Sequence, residues 1–131
     1  MKVLDLFHII KLAYIPDLKK SEKPNSTFDC YSLRYRMDIE LKCRRTHYDE
    51  LILEKKKYDA LIQRAQENGT RAFYINSTPQ GIYSFNLSAL EDLEWEKKHL
   101  PKQTDFGERY NIVEKEITML PIELATRLDK D

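Results

Sequence analysis

Three ionisable residues with the side-chain chemistry of a hydrolytic centre, Asp38, Glu40 and Lys42, alternate with apolar residues in the segment MDIELKC, residues 37–43. A period of two is typical of a β-strand, in which successive side chains point to opposite faces. We therefore expect the charged side chains on one face of a strand and the apolar side chains on the other. The apolar face requires a core, and the charged face requires either water or a function.

Asp29 lies in the preceding segment, which also alternates with a period of two, so the two segments are predicted to form an antiparallel hairpin. We favour a four-residue turn at residues 34–37, because the tyrosine and arginine at its centre suit a tight turn with positive φ poorly. That turn sets Asp29 opposite Lys42 and diagonal to Glu40, on the same face. A slip of one residue would instead turn Asp29 to the other face.

Two neighbouring carboxylates such as those of Asp29 and Glu40 are hard oxygen ligands of the kind that Mg²⁺ or Mn²⁺ binds, with the remaining positions left to water and substrate phosphate. Such an ion polarises a phosphodiester and activates water. Lys42 beside it would orient that water or offset charge on the phosphate in the transition state. The alternative for the same residues is an ordinary strand face in contact with solvent.

The elements that would position these residues follow from hydrophobic periodicity and turn residues. Residues 3–13 have helical spacing, and this first helix should end before Pro16. A second helix is expected after the hairpin, with Thr46 as its N-cap and Gly69 at its end, unless residues 49–54 are extended and the helix begins later. The remaining predictions are a loop over 16–26, strands over 71–76 and 81–87, a short helix over 88–95 opened by the capping box of Ser88 and Glu91, a loop over 99–108, a late strand over 110–120, and a terminal turn or helix over 121–128.

This order of elements predicts a mixed α/β (α+β) fold, in which helices flank a small mixed β-sheet. The chain of 131 residues is long enough to bury one core, so we expect a single domain over residues 1–131.

Composition limits the classes of function. The formal net charge is zero, with 22 basic and 22 acidic residues, so a globally basic nucleic-acid binder is not indicated. Residues 31–65 nevertheless hold nine Lys and Arg against six Asp and Glu, which leaves a local basic excess.

The two cysteines and three histidines match no zinc spacing, and no apolar stretch is long enough to span a membrane. We expect reduced cysteines and a cytoplasmic location, in the host cell if a phage encodes the chain.

The segments FDCYSLRYRMDIELKCRR, residues 28–45, and THYDELILEKKKYDALIQRA, residues 46–65, resemble the core of the PD-(D/E)xK nuclease superfamily, particularly its small phage and mobile-element members. In that pattern an Asp opens one strand, E-x-K lies in the next, and a helix rich in lysine and apolar residues follows. The later segment AFYINSTPQGIYSFNL, residues 72–87, is similar to the pair of strands after that helix. The resemblance covers roughly residues 1–90.

The resemblance implies a restriction-endonuclease-like core and hydrolysis of phosphodiester bonds, with DNA as the expected polymer and Mg²⁺ or Mn²⁺ as cofactor. Carried over residue by residue, Asp29 and Glu40 match the metal-binding carboxylates, and Lys42 matches the catalytic lysine. Phe28 stands where the pattern's name has Pro. A literal Pro-Asp occurs at Pro16 and Asp17, which makes Asp17 the second choice for the metal-binding aspartate.

Several assignments stay open at the level of sequence. Asp5, in the first helix, and Asp38 are further candidates for the site. Contacts to nucleic-acid backbone are expected from Arg44, Arg45, Lys55 and Lys57, although lysines on a helix are also commonly just solvated. A catalytically inactive nuclease fold that acts as a binding or inhibitor module on nucleic acid or a host protein is the alternative function. A small basic face binds DNA weakly, which favours a homo-oligomer or a larger complex.

Overall fold

A computed structural model describes residues 1–22, 28–102 and 112–129. These residues form two α-helices and nine β-strands in two sheets. The helices are α1 (Val3–Ala13) and α2 (Lys55–Asn68). The strands are β1 (Lys19–Lys20), β2 (Cys30–Ser32), β3 (Met37–Cys43), β4 (Glu50–Glu54), β5 (Arg71–Thr78), β6 (Gly81–Asn86), β7 (Glu96–Pro101), β8 (Ile112–Pro121) and β9 (Thr126–Arg127).

The larger sheet has the strand order β1-β2-β3-β5-β6-β9, and the smaller sheet has the order β4-β8-β7. Strands β3 and β5 are parallel neighbours, and the chain between them forms β4 and then α2. The other strand pairs are antiparallel. The predicted mixed α+β fold with helices on a mixed sheet is therefore confirmed.

The larger sheet carries a hydrophobic cluster on each face. On one face α1 packs Leu6 and Ile10 against Ile39 and Ile75 of the central strands. On the other face α2, β4 and β8 contribute the cluster, whose members include Leu53, Leu61, Tyr74, Phe85 and Leu120. Strand β3 therefore has a covered surface on both sides.

Both α-helices have boundaries with a local cause. Helix α1 has the predicted bounds, and the Lys2 amide at its start donates to the Asp5 carboxylate at 3.2 Å. Helix α2 ends at Gly69, as predicted, with a left-handed φ of 68° that glycine adopts without steric cost. Among the described residues no helix is both long and apolar enough to cross a membrane.

Helix α2 begins later than its first predicted start. Thr46 is not an N-cap, because residues 50–54 pair with β8 as strand β4 and the helix begins only at Lys55. The extended alternative for this segment is thus confirmed. Leu51 and Leu53 of β4 are buried, so the tertiary core rather than helix propensity decides the conformation here.

Three smaller predictions differ from the structure. The predicted short helix over 88–95 is wrong, and the chain forms a 3-10 turn at Leu87–Ala89 instead. The reason is that the Ser88 hydroxyl accepts a bond from the Ala72 amide at 2.9 Å and does not cap a helix. The loop over 99–108 is wrong at residues 99–101, which belong to β7, and its residues 103–108 lie outside the described residues. The loop over 16–26 contains the two-residue strand β1, and its residues 23–26 also lie outside.

Candidate active site

Asp29 lies directly before β2, and its charge acts on Glu40 of the neighbouring strand β3. Its amide donates to the Ile39 carbonyl at 2.9 Å, and its carboxylate accepts a bond from the Leu41 amide at 2.8 Å. These two bonds join Asp29 to the residues on either side of Glu40. The paired residues of the two strands begin at the next residue, where Cys30 pairs with Ile39.

The predicted register is therefore wrong by two residues. The turn occupies residues 33–36 rather than 34–37, and Tyr31 pairs with Asp38 instead of Glu40. The cause is Asp17, whose carboxylate accepts bonds from the Ser32 hydroxyl at 2.7 Å and the Arg34 amide at 2.9 Å and so fixes this turn. Asp29 is nevertheless held beside Glu40, because it is bonded to the residues on either side of Glu40.

The charged face of β3 is covered rather than solvated. Asp38 and Glu40 are buried, whereas Lys42 is partly exposed. The cover consists of α2 and the smaller sheet, which pack over this side of the larger sheet. The interpretation of the strand as an ordinary solvent-facing surface is therefore wrong.

The surroundings of Glu40 disfavour the charged form of its carboxyl, and a nearby ammonium opposes this effect only in part. Burial raises the pKa of its carboxyl, and the nearby Asp29 charge raises that pKa further. Lys57 opposes both effects through an ion pair, in which its Nζ lies 2.7 Å from Glu40 Oε1. Burial alone would lower the pKa of Lys57, but the bond and charge of Glu40 raise it overall.

Lys42 lies two residues after Glu40 on the same face and borders a pocket of about 130 Å³ between the two sheets. Glu40 and Lys57 also line this pocket, so a carboxylate and two ammonium groups converge on it. The remaining lining residues are Arg44, Ile52, Glu54, Tyr74, Leu100, Pro101 and Lys115.

The four predicted nucleic-acid contacts have different surroundings. Arg45 is exposed. Lys55 pairs with Asp59 at 2.9 Å and lies over the Trp95 ring, 5.4 Å from its centroid. Lys57 is bonded to Glu40, as described above, and Arg44 is bonded inside the protein.

The Arg44 guanidinium connects the two sheets. It donates to Asn76 Oδ1 at 2.7 Å and to the Tyr74 hydroxyl at 2.9 Å on β5, and to the Ile52 carbonyl at 2.8 Å on β4. Its side chain is therefore committed to three protein acceptors.

The other candidate carboxylates have structural partners away from the Asp29–Glu40 pair. Asp5 accepts the bond that begins α1, and Asp17 fixes the hairpin turn. Asp38 accepts a bond from the Thr70 hydroxyl at 2.9 Å and one from the Asn68 amide at 3.3 Å, which ties the end of α2 to β3. The described ranges contain no cluster of three or more His, Cys, Asp or Glu placed to hold a metal.

Two carboxylates at one place remain a donor set that fits a hard divalent cation. The oxygens of Asp29 and Glu40 have the right chemistry for Mg²⁺ or Mn²⁺. Burial and, after it, the Asp29 charge raise the pKa of Glu40, and a cation beside the two carboxylates would stabilise the charged form.

Sequence reasoning missed two features of the pocket. Lys115 comes from the late strand β8 and pairs with Glu54 at 2.9 Å, and nothing in its local sequence distinguishes it from other lysines. Tyr74 is a buried aromatic residue, and its hydroxyl also donates to the Ile52 carbonyl at 3.2 Å. The parallel pairing of Tyr74 with Glu40 brings this hydroxyl to the pocket.

Comparison with known proteins gives a structural match. No protein-family model and no curated protein sequence matches the chain. Among solved structures, the chain is similar to Hjc of Archaeoglobus fulgidus, a Holliday junction resolvase from an archaeal hyperthermophile. The TM-score is 0.61 at 17% sequence identity, and the match covers 95% of this chain and 87% of Hjc. The expectation of a restriction-endonuclease-like core is confirmed at the level of the fold, because the chain shares the fold of Hjc.

Proposed function

We propose that the chain is a metal-dependent nuclease that hydrolyses phosphodiester bonds in nucleic acid, with DNA as the expected polymer. The observation that carries the proposal is that Asp29 is held beside Glu40, with Lys42 two residues further along β3, in a nuclease-type fold. The whole of residues 1–131 would act as one domain, in a homo-oligomer or a larger complex.

Each residue of the candidate site has a chemical role in this proposal. Asp29 and Glu40 would hold Mg²⁺ or Mn²⁺. The ion, when bound, supplies Lewis-acid polarisation of the phosphodiester and activation of water. Lys42 would donate a hydrogen bond to the scissile phosphate and offset its growing negative charge, in a pocket shielded by both sheets.

Nucleic-acid backbone contacts outside the pocket would come from one exposed and one half-buried basic group. Arg45 is solvent-accessible at the end of β3, and Lys55 lies at the start of α2. Such contacts hold a polyanion without reading its sequence. Arg44 supports the pocket from within the protein.

Cleavage assays on a supercoiled plasmid and on labelled single-stranded and duplex oligonucleotides test the proposal. With Mg²⁺ or Mn²⁺ present, Glu40→Gln and Lys42→Ala should each retain less than about 1% of wild-type cleavage, since Glu40→Gln removes a charge that would hold the cation and Lys42→Ala removes a charge that would act on the reacting phosphate. Glu50→Gln, an exposed position on β4, serves as the matched control and should cleave normally. Normal cleavage by folded Glu40→Gln and Lys42→Ala would end the proposal.

A specific observation favours the alternative, an inactive nuclease fold that binds nucleic acid or a host protein. The Lys57 ammonium already neutralises Glu40 without a metal. Calorimetry discriminates between the two functions, because the inactive module predicts no heat of Mn²⁺ binding that depends on Asp29 and Glu40.

A further inference from the structure

Lys57 lies in the first turn of α2, and its side chain extends from the helix to the central strand of the larger sheet. Its Nζ lies 2.7 Å from Glu40 Oε1, although the two residues are 17 positions apart in the chain. A charge-assisted bond of this length is among the stronger polar contacts in proteins. Lys57 is therefore part of the environment of Glu40.

The two partners differ in their freedom to leave the pair. The Glu40 side chain is 11% exposed and lies on a strand that is paired on both sides, whereas the Lys57 side chain is 47% exposed. A lysine stem has several rotatable bonds, and its ammonium is strongly hydrated. Separation of the pair therefore requires movement of Lys57 into the pocket or into solvent, while Glu40 stays in place.

Both Lys57 and a divalent cation would offset the same charges. The repulsion between Asp29 and Glu40 is relieved by the ammonium in the described structure, and a cation held by these carboxylates would relieve it instead. An ammonium and a divalent cation on one carboxylate also repel each other strongly at such separations. The two positive groups therefore compete for Glu40.

We propose that Lys57 is the counter-ion of Glu40 in the metal-free protein and is displaced from Glu40 when a divalent cation binds. The proposal rests on the metal site of the proposed function and adds a competing residue to it. Lys57 acts on the proposed metal site through Glu40, so it is a positioning residue. Lys57 lines the same pocket as Lys42, so an ammonium displaced into the pocket can meet a phosphate there.

Titration calorimetry with Mn²⁺ on the full chain tests the competition. We compare the wild type with Lys57→Met, which keeps an unbranched side chain and good helix propensity, at a pH of about 8, where carboxylates are ionised. Because the wild type must break an ion pair to bind the cation, Lys57→Met should bind Mn²⁺ about tenfold more tightly. Lys57→Arg retains the positive charge and should keep the wild-type affinity.

Lys56→Met is the matched control, because Lys56 is the neighbouring lysine on α2 and is exposed. It should bind Mn²⁺ with wild-type affinity. A merely structural role for Lys57 would weaken or leave unchanged the binding of Mn²⁺, so a gain in affinity identifies competition. If Lys57→Met does not fold, Lys57→Gln replaces it in the same comparison.

Thermal unfolding supplies a second readout that needs no activity. In chelator, Lys57→Met should unfold at a lower temperature than the wild type, since Glu40 loses its counter-ion, and Mn²⁺ should raise its unfolding temperature by more than it raises that of the wild type. If the wild type binds Mn²⁺ and Lys57→Met binds it equally or more weakly, the competition is refuted while the metal site stands. If neither protein binds Mn²⁺, the metal site of the proposed function fails, and the competition fails with it.

Discussion

Arg44 should contribute to stability rather than to nucleic-acid binding, and Arg44→Met tests this expectation. Methionine keeps an unbranched stem and removes the guanidinium, which donates bonds to Asn76, Ile52 and Tyr74. Asn76 is fully buried, so its side-chain oxygen would lose its partner where water cannot easily replace it.

The magnitude follows from what each acceptor retains. The Tyr74 hydroxyl also donates to the Ile52 carbonyl, so these two groups stay bonded to each other in the variant. Asn76 Oδ1 is then the group left unsatisfied, at a cost of about 1–3 kcal/mol, with a further loss from the charged bonds. We expect Arg44→Met to lower the free energy of unfolding by about 2–4 kcal/mol.

Urea denaturation followed by circular dichroism measures this difference, with Arg45→Met as the control at the exposed neighbouring arginine. The control should change the free energy of unfolding by less than about 0.5 kcal/mol. An Arg44→Met protein with the wild-type midpoint and slope would refute the reasoning. If that protein also lost affinity for an oligonucleotide, Arg44 would be a nucleic-acid contact, as the sequence had indicated.

Two further predictions concern the carboxylates outside the Asp29–Glu40 pair. Asp38→Ala should lower the free energy of unfolding by about 1–3 kcal/mol, because Thr70 loses a buried acceptor, and should leave Mn²⁺ affinity in calorimetry unchanged. Loss of Mn²⁺ binding at unchanged stability would instead make Asp38 a ligand. The Arg34 amide and the Ser32 hydroxyl hold the pKa of the Asp17 carboxyl below its ordinary value of 3.8. The charged carboxylate therefore stabilises the folded protein at pH values above 3.8, and this stabilisation is lost as the pH falls through the lowered pKa. The difference in unfolding temperature between wild type and Asp17→Asn should therefore shrink in acid, and a difference that persists unchanged to about pH 2 would contradict this assignment.

The sequence predicted the features that depend on local periodicity. The bounds of α1 and the end of α2 at Gly69 follow from spacing or from a single turn residue. The exact register of the hairpin was not predictable in this way, because Asp17 fixes the turn from a separate part of the chain.

The contacts of the basic residues could not be predicted for a similar reason. Sequence shows that Arg44 and Lys57 are charged, but it does not show that α2 and the smaller sheet cover the face of β3 that carries Glu40. Once that face is covered, both cations have buried acceptors within reach and bond to them. Long-range packing thus decided which basic groups remained available at the surface.

The pairing of β4 with β8 has a consequence for the order in which the molecule folds. Leu51 pairs with Leu120, so one wall of the pocket closes only after a large loop of chain has been brought together. Contacts of such high sequence separation form slowly, and during synthesis they must wait for the β8 segment to emerge. A nascent chain that contains Asp29, Glu40 and Lys42 but not yet β8 therefore lacks the enclosure that shields them, and maturation of the pocket is coupled to the synthesis of β8.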